Sequence, residues 1–167
     1  LTYETNENGI LITDKRLAAQ IHNKGKTGTT QKKGYLLLRP EEALYCDYRN
    51  DFELTEIERK KFSNQNYIIY KDLKDRGLIV KVDENGLRLF DRLTSTKGQS
   101  SAIVISKNYK EEIDFKDIFN ELDKGLKRRV QIGIIDSEKD VVYYVTRIME
   151  WPETKRKEGY EGIIDDP

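Results

Sequence analysis

The chain has 167 residues, of which 36% are charged and 37% hydrophobic, and its 30 Lys and Arg balance 30 Asp and Glu. That size suits one ordinary domain or two small ones, and the apolar share is too large and too periodic for a disordered chain. The zero net charge excludes a global field that would recruit nucleic acid, so any RNA contact has to come from a local patch.

In chain order, NGILITDKRLAAQIHNKGKTG (8–28) predicts a short strand and then a helix from about Asp14, with Thr13 as its cap and Gly25 as its stop. Leu17, Ala18 and Ile21 form the apolar stripe of that helix. His22 lies beside the stripe and is the sole histidine, so a metal or acid–base role is not expected of it. GYLLLRPEEALYCDYRND (34–51) predicts a short buried strand and a second helix, with Pro40 in its first turn and Glu41 and Glu42 near its positive end. Ala43, Leu44, Cys46 and Tyr48 supply its apolar side. Cys46, the only cysteine, reads as a small buried hydrophobe and leaves no disulfide framework or thiolate metal site.

LTEIERKKFSNQNYIIYKDLKDRG (54–77) opens on a capping box of Thr55 and Glu58, and Tyr67, Ile68, Tyr70 and Leu73 recur at helical spacing until Gly77. There the period changes to alternation. The remainder predicts strand LIVKV (78–82), an Asn-Gly turn, strand LRLF (87–90), a polar loop, strand AIVIS (102–106), helix 115–129, strand VQIGIID (130–136), turn SEKD and strand VVYYVTRIM (141–149). The fold class is therefore α+β, with a helical N-terminal subdomain (1–76), a mixed-sheet C-terminal subdomain (77–150) and a tail (151–167) of linker composition. Leu1 is not an initiator methionine, and with the tail it suggests one piece of a longer product. No apolar run approaches the roughly 20 residues of a membrane span, so no membrane partner and a cytoplasmic location are expected.

YKDLKDRGLIVKV (70–82), LRLF (87–90), GLKRRVQIGIIDSEKDVVYYV (125–145) and, more loosely, LLLRPEEALY (36–45) together resemble the archaeal tRNA-splicing endonuclease family, over roughly residues 8–150. The resemblance implies metal-independent RNA cleavage by a tyrosine, a histidine and a lysine, giving a 2′,3′-cyclic phosphate and a 5′-hydroxyl, with no cofactor and no metal. A base must take the 2′-proton, an acid must protonate the leaving oxygen, and a cation must neutralise the phosphate. Carried onto this chain, the tyrosine position holds Phe90, the histidine position Gln99 or Ser100, and the lysine position Arg128 or Arg129 with Lys127 slightly early, so two of the three groups are absent in any register. Arginine can still neutralise phosphate charge but cannot start the reaction. No catalytic residue is therefore expected, and the loop reads as that of a unit kept for architecture.

The resemblance also implies an acidic hairpin, Asp136, Glu138 and Asp140, that docks on a basic groove of a neighbouring unit, although such residues are equally ordinary turn chemistry. The last strand, with Tyr143, Tyr144 and Val145, would pack against a partner's, or else lie buried within this unit. The expected partners are a catalytic unit, on a separate chain or elsewhere in the same product, and precursor tRNA, in a dimeric or tetrameric assembly. Lys124, Lys127, Arg128 and Arg129 form the densest basic run, and NKGKTG with QKKG (23–34) a second, either of which could position RNA by its backbone. Two other readings stay open. Asp114-Phe115-Lys116 has the Asp-x-Lys form of metal-dependent nucleases, and a stand-alone interaction module is compatible with the neutral charge.

Overall fold

The computed structural model describes residues 3–6, 8–83, 86–90, 101–114, 116, 118 and 129–146. Strands β1 (Tyr3–Asn6) and β2 (Gly9–Ile12) form an antiparallel hairpin, and α1 (Lys15–Asn23) follows. The α1 cap is Asp14 rather than Thr13. Its carboxylate accepts from the Arg16 and Leu17 amides at 2.8 and 3.0 Å, two helix-end donors that would otherwise lack partners. Strands β3 (Thr29–Thr30) and β4 (Leu36–Leu38) flank a 3₁₀ turn at Lys32–Gly34 and complete a four-stranded antiparallel sheet of order β1-β2-β4-β3. The edge strands β1 and β3 carry little apolar alternation, so only the two central strands have a signal in the sequence. Ile10, Ile12, Ile21, Leu36 and Leu38 are fully buried between this sheet and its helices, each contributing about 1.5–3 kcal/mol of apolar burial.

Helix α2 (Pro40–Tyr48) buries Ala43, Leu44, Tyr45 and Cys46, while Tyr48 is exposed. The apolar side assigned from sequence thus needs Tyr45 in place of Tyr48. The Thr55–Glu58 capping box opens α3 (Glu56–Phe62). Asn64 then caps a separate helix, α4 (Gln65–Asp75), through the Tyr67 amide at 2.9 Å, and Gly77 follows at φ 77°.

The second sheet contains β5 (Ile79–Asp83), β6 (Gly86–Phe90), β7 (Ala102–Asn108), β8 (Arg129–Ile135) and β9 (Val141–Thr146), in sequential order. All neighbours are antiparallel except β7 and β8, which run parallel from Ala102 opposite Arg129 to Asn108 opposite Ile135. A parallel pair needs a crossover, and residues 109–128 supply it. Lys116 and Ile118 are helical there, but most of the expected helix, the polar loop 91–100, Glu84 with Asn85, and 147–167 lie outside the described residues.

Helix α4 lies before the change of period at Gly77, yet its Ile69, Tyr70 and Leu73 share a core with Val80, Leu87, Leu89, Ala102, Val104 and Ile135 of the second sheet. Gly133 admits it. A Cβ at that position would sit 2.7 Å from Ile69 Cδ1 and 3.3 Å from Tyr143 Cε1. On the opposite sheet face Ile118, Val130 and Ile132 form a smaller cluster. The fold is α+β throughout, with no described helix long and apolar enough to cross a membrane.

Candidate functional site

Because β6 is antiparallel to β7 and β7 parallel to β8, the last residue of β6 and the first residues of β7 and β8 meet at one end of the sheet. The Ser101 amide donates to the Leu89 carbonyl at 2.8 Å, and its hydroxyl donates to the same oxygen at 3.2 Å. The Arg129 amide donates to the Ser101 carbonyl at 3.4 Å. Phe90 at the end of β6, Ser101 just before β7 and Arg129 at the start of β8 thus stand side by side. Phe90 is 7% exposed and brings no polar atom to this end, whereas Arg129 is exposed. A guanidinium here can neutralise an anion, and neither an aromatic ring nor a hydroxyl already bonded to a carbonyl moves a proton readily. Gln99 and Arg128, with Lys124 and Lys127, lie outside the described residues.

His22 sits elsewhere, on α1 against the first sheet, with Nδ1 3.1 Å from the Thr27 carbonyl oxygen. Burial lowers its pKa, and Lys81 and Lys26 act in the same direction. Asp114 accepts from the Lys116 amide at 2.8 Å, so its carboxylate caps the start of a helix instead of ending a strand beside a lysine. Among the described residues no group of three or more His, Cys, Asp or Glu is placed to hold a metal ion.

The β8–β9 turn uses one of its acids internally. Asp136 Oδ1 accepts from the Glu138 amide at 2.8 Å and the Asp140 amide at 2.9 Å, leaving Glu138 and Asp140 exposed on either side of Lys139, which takes φ 70°. In β9 the two faces differ. The Tyr143 hydroxyl donates to Asp72 of α4 at 2.7 Å, and Arg76 bonds the same carboxylate at 2.8 Å while lying 5.4 Å from the Tyr143 ring centre. Burial and the Asp72 carboxylate both push the Tyr143 phenol upward. Val142, Tyr144 and Val145 are 51%, 55% and 58% exposed, and β9 is the outer strand of its sheet. Tyr143 therefore holds the strand to its own helix, while Val142 and Tyr144 offer apolar surface on the opposite face and Val145, on the Tyr143 face, is exposed as well.

One polar cluster was not legible from the sequence. Glu42 is 1% exposed, and its carboxylate accepts from the Gly28 amide at 3.1 Å and the Arg39 amide at 2.9 Å. Burial raises its pKa against the pull of those amides and of Lys81 and Lys74. Lys74, 8% exposed, donates to the Gly25 carbonyl at 2.8 Å, and burial brings it down to about 8. Lys81 donates to the Gly28 carbonyl, and its pKa is likewise lowered by burial. The loop 25–28 of the first sheet is thus clamped by one lysine from α4 and one from β5. Burial of these side chains is a tertiary fact with no local signature. A groove of about 620 Å³ runs between α4 and the β8–β9 turn, lined by residues that include Gln65, Lys71, Asp72 and Lys139.

No family model matches the chain. Among curated proteins, it is 30% identical over 104 residues to a Thermococcus onnurineus protein named tRNA-splicing endonuclease, covering 59% of each chain. It is 26% identical over 162 residues to a Thermococcus gammatolerans protein of the same name, covering 85% of this chain and 92% of the relative. A Methanococcoides burtonii protein, also so named, is 24% identical over 152 residues, covering 80% of this chain and 43% of the relative. The chain spans about half the length of the first and third of these relatives.

Proposed function

With several archaeal homologues named tRNA-splicing endonuclease, the chain belongs to that family, and from this premise we propose that it is a structural, non-catalytic unit of such an enzyme. Its task is to complete an assembly, dimeric or tetrameric, in which another unit cuts precursor tRNA at bulge-helix-bulge motifs. The observation that carries this reading is Phe90. It ends β6 at the sheet end where the strands β6, β7 and β8 meet, and it is a buried ring without the hydroxyl that the family's chemistry requires. Gln99 or Ser100, at the histidine position, offers no imidazole, and the lysine position holds Arg128 or Arg129 with Lys127 slightly early.

The assembly side of the proposal rests on β9 and its turn. Val142 and Tyr144 form an exposed apolar strip on one face of an outer strand, and Val145 is exposed on the other, surfaces that a partner strand or sheet would cover. Glu138 and Asp140 are free to meet a basic groove, with Asp136 shaping the turn that presents them. The coverage of relatives agrees with a unit of this size. The aligned stretch amounts to nearly all of the Thermococcus gammatolerans protein and under half of the Methanococcoides burtonii protein. The subdomain division at 76/77 belongs to the same proposal, with the Lys81 bond to the Gly28 carbonyl reaching across it.

Incubating the chain in EDTA with a bulge-helix-bulge RNA tests the reading. The expected result is no 2′,3′-cyclic phosphate end from the chain alone and cleavage once a unit bearing Tyr, His and Lys is added. Cleavage by the chain alone refutes it.

A further inference from the structure

The second basic stretch of the sequence, near residues 23–34, divides in the structure. Lys24 is tied to Asp51 at 2.6 Å, and Lys26 lies at the far end of α1. The lysines of the β3–β4 turn, Lys32 and Lys33, instead lie beside the start of α1. A Cβ on Gly34 would meet the Lys15 side chain at 3.8 Å, so the stem of Lys15 passes alongside that turn. Lys15, Arg16, Lys32 and Lys33 are all exposed, and among the described residues none of them forms an ion pair. The carboxylate next to them, Asp14, is engaged by the Arg16 and Leu17 amides. Glu4 lies on β1, at the opposite edge of the sheet from β3.

Four cations against the single carboxylate of Asp14 make this corner locally positive in a chain whose total charge is zero. Lys33 also adopts φ 65°, where glycine or asparagine would sit with less strain. The corner is completed by exposed Thr29, Thr30 and Gln31, and hydroxyl and amide groups of this kind bond phosphate and sugar oxygens. It holds no exposed aromatic or large apolar side chain among these residues. Protein interface cores are enriched in such anchors and depleted in lysine, so the composition favours a polyanionic backbone over an acidic protein.

We propose that Lys15, Arg16, Lys32 and Lys33 form a docking surface for the phosphate backbone of RNA on the first sheet, separate from the strand ends around Phe90. The inference rests on the RNA-processing reading above and adds to it a contact on the N-terminal half, placed to hold the body of a precursor rather than its cut site. Backbone contacts of this type set position without reading sequence, so the surface discriminates folded RNA only by shape and charge.

The test is fluorescence anisotropy of a labelled bulge-helix-bulge RNA titrated with the full chain, unmodified and as Lys32→Ala/Lys33→Ala, between low and physiological salt. Each lost phosphate contact removes about 0.9 from the slope of log K against log salt on duplex RNA-like charge densities, so the double variant should lose about 2 from the slope and about tenfold or more in affinity at 0.1 M salt. Lys60→Ala/Lys61→Ala on α3, an equal change of charge elsewhere, should leave the slope unchanged. If the unmodified chain binds RNA and Lys32→Ala/Lys33→Ala binds it equally well with the same slope, the docking surface is wrong while the family reading stands. If the unmodified chain binds no RNA, with or without a catalytic unit, both fall. If the same substitutions abolish binding of poly-glutamate but not of RNA, the surface belongs to an acidic protein and the proposal is overturned.

Discussion

The outward face of β9 supplies the sharpest test of the assembly proposal. Tyr144 is 55% exposed and Val142 51% exposed. A tyrosine buries about 150–250 Å² when fully covered, so covering the exposed half removes about 100 Å² from water, or about 2.5 kcal/mol at 25 cal/mol/Å². Covering the exposed half of a valine adds about 1 kcal/mol. Tyr144→Ser/Val142→Ser in this chain alone should therefore weaken its association with a partner unit by about 3.5 kcal/mol, a few hundred-fold in Kd. The substitutions lie on exposed positions, so the thermal stability of the isolated chain should move by no more than about 0.5 kcal/mol. Sedimentation velocity of the mixed units reads the first quantity and thermal unfolding of the chain alone reads the second. An unchanged Kd would refute the argument that this strip is covered in the assembly. A large loss of monomer stability would show instead that the strip is part of the chain's own core.

Three further outcomes follow from buried contacts. Tyr143→Phe deletes the 2.7 Å bond to Asp72 but leaves that carboxylate paired with Arg76, so the cost should be about 1 kcal/mol by urea unfolding; a neutral result would mean that the bond contributes nothing net to holding β9 on α4. Lys74 is held at about 8 when folded against 10.5 as its ordinary value, so the unfolded chain binds the extra proton over that interval and stability conferred through this group rises from about pH 8 to 10.5. The difference in stability between the unmodified chain and Lys74→Met should change across that window, and a constant difference would contradict the buried charge. Gly9→Ala would place a Cβ 2.0 Å from the Leu38 carbonyl oxygen at φ 131°, which should cost about 3 kcal/mol or more and lower Tm by several degrees. A Tm unchanged within a degree would show that the β2–β4 pairing can yield there.

Much of the element list was legible because its signals are local. The Thr55–Glu58 box, Pro40 in a first turn, Gly77 after the last turn of α4 and the alternation in 79–83 and 86–90 each depend on residues within one turn or one pleat of one another. The thin strands β1 and β3 escaped notice because an edge strand needs no apolar face, and Tyr45 was missed for Tyr48 because both lie on helical spacing and only the neighbouring α4 decides which is covered.

At the site, the sequence alone determined which chemical groups are available: Phe90 has no hydroxyl, Gln99 no imidazole, and the one histidine lies on α1. Only the tertiary structure decided where they could act. It set β7 parallel to β8 and so gathered the ends of three strands at one edge. It also turned Tyr143 inward and Tyr144 outward, and it clamped Lys74 and Lys81 onto a loop some fifty residues away in the chain. The reason is physical. Residue type fixes what a side chain can donate, accept or bury, whereas proximity between strands and loops distant in sequence is won only when the apolar faces of α4 and the second sheet close on each other.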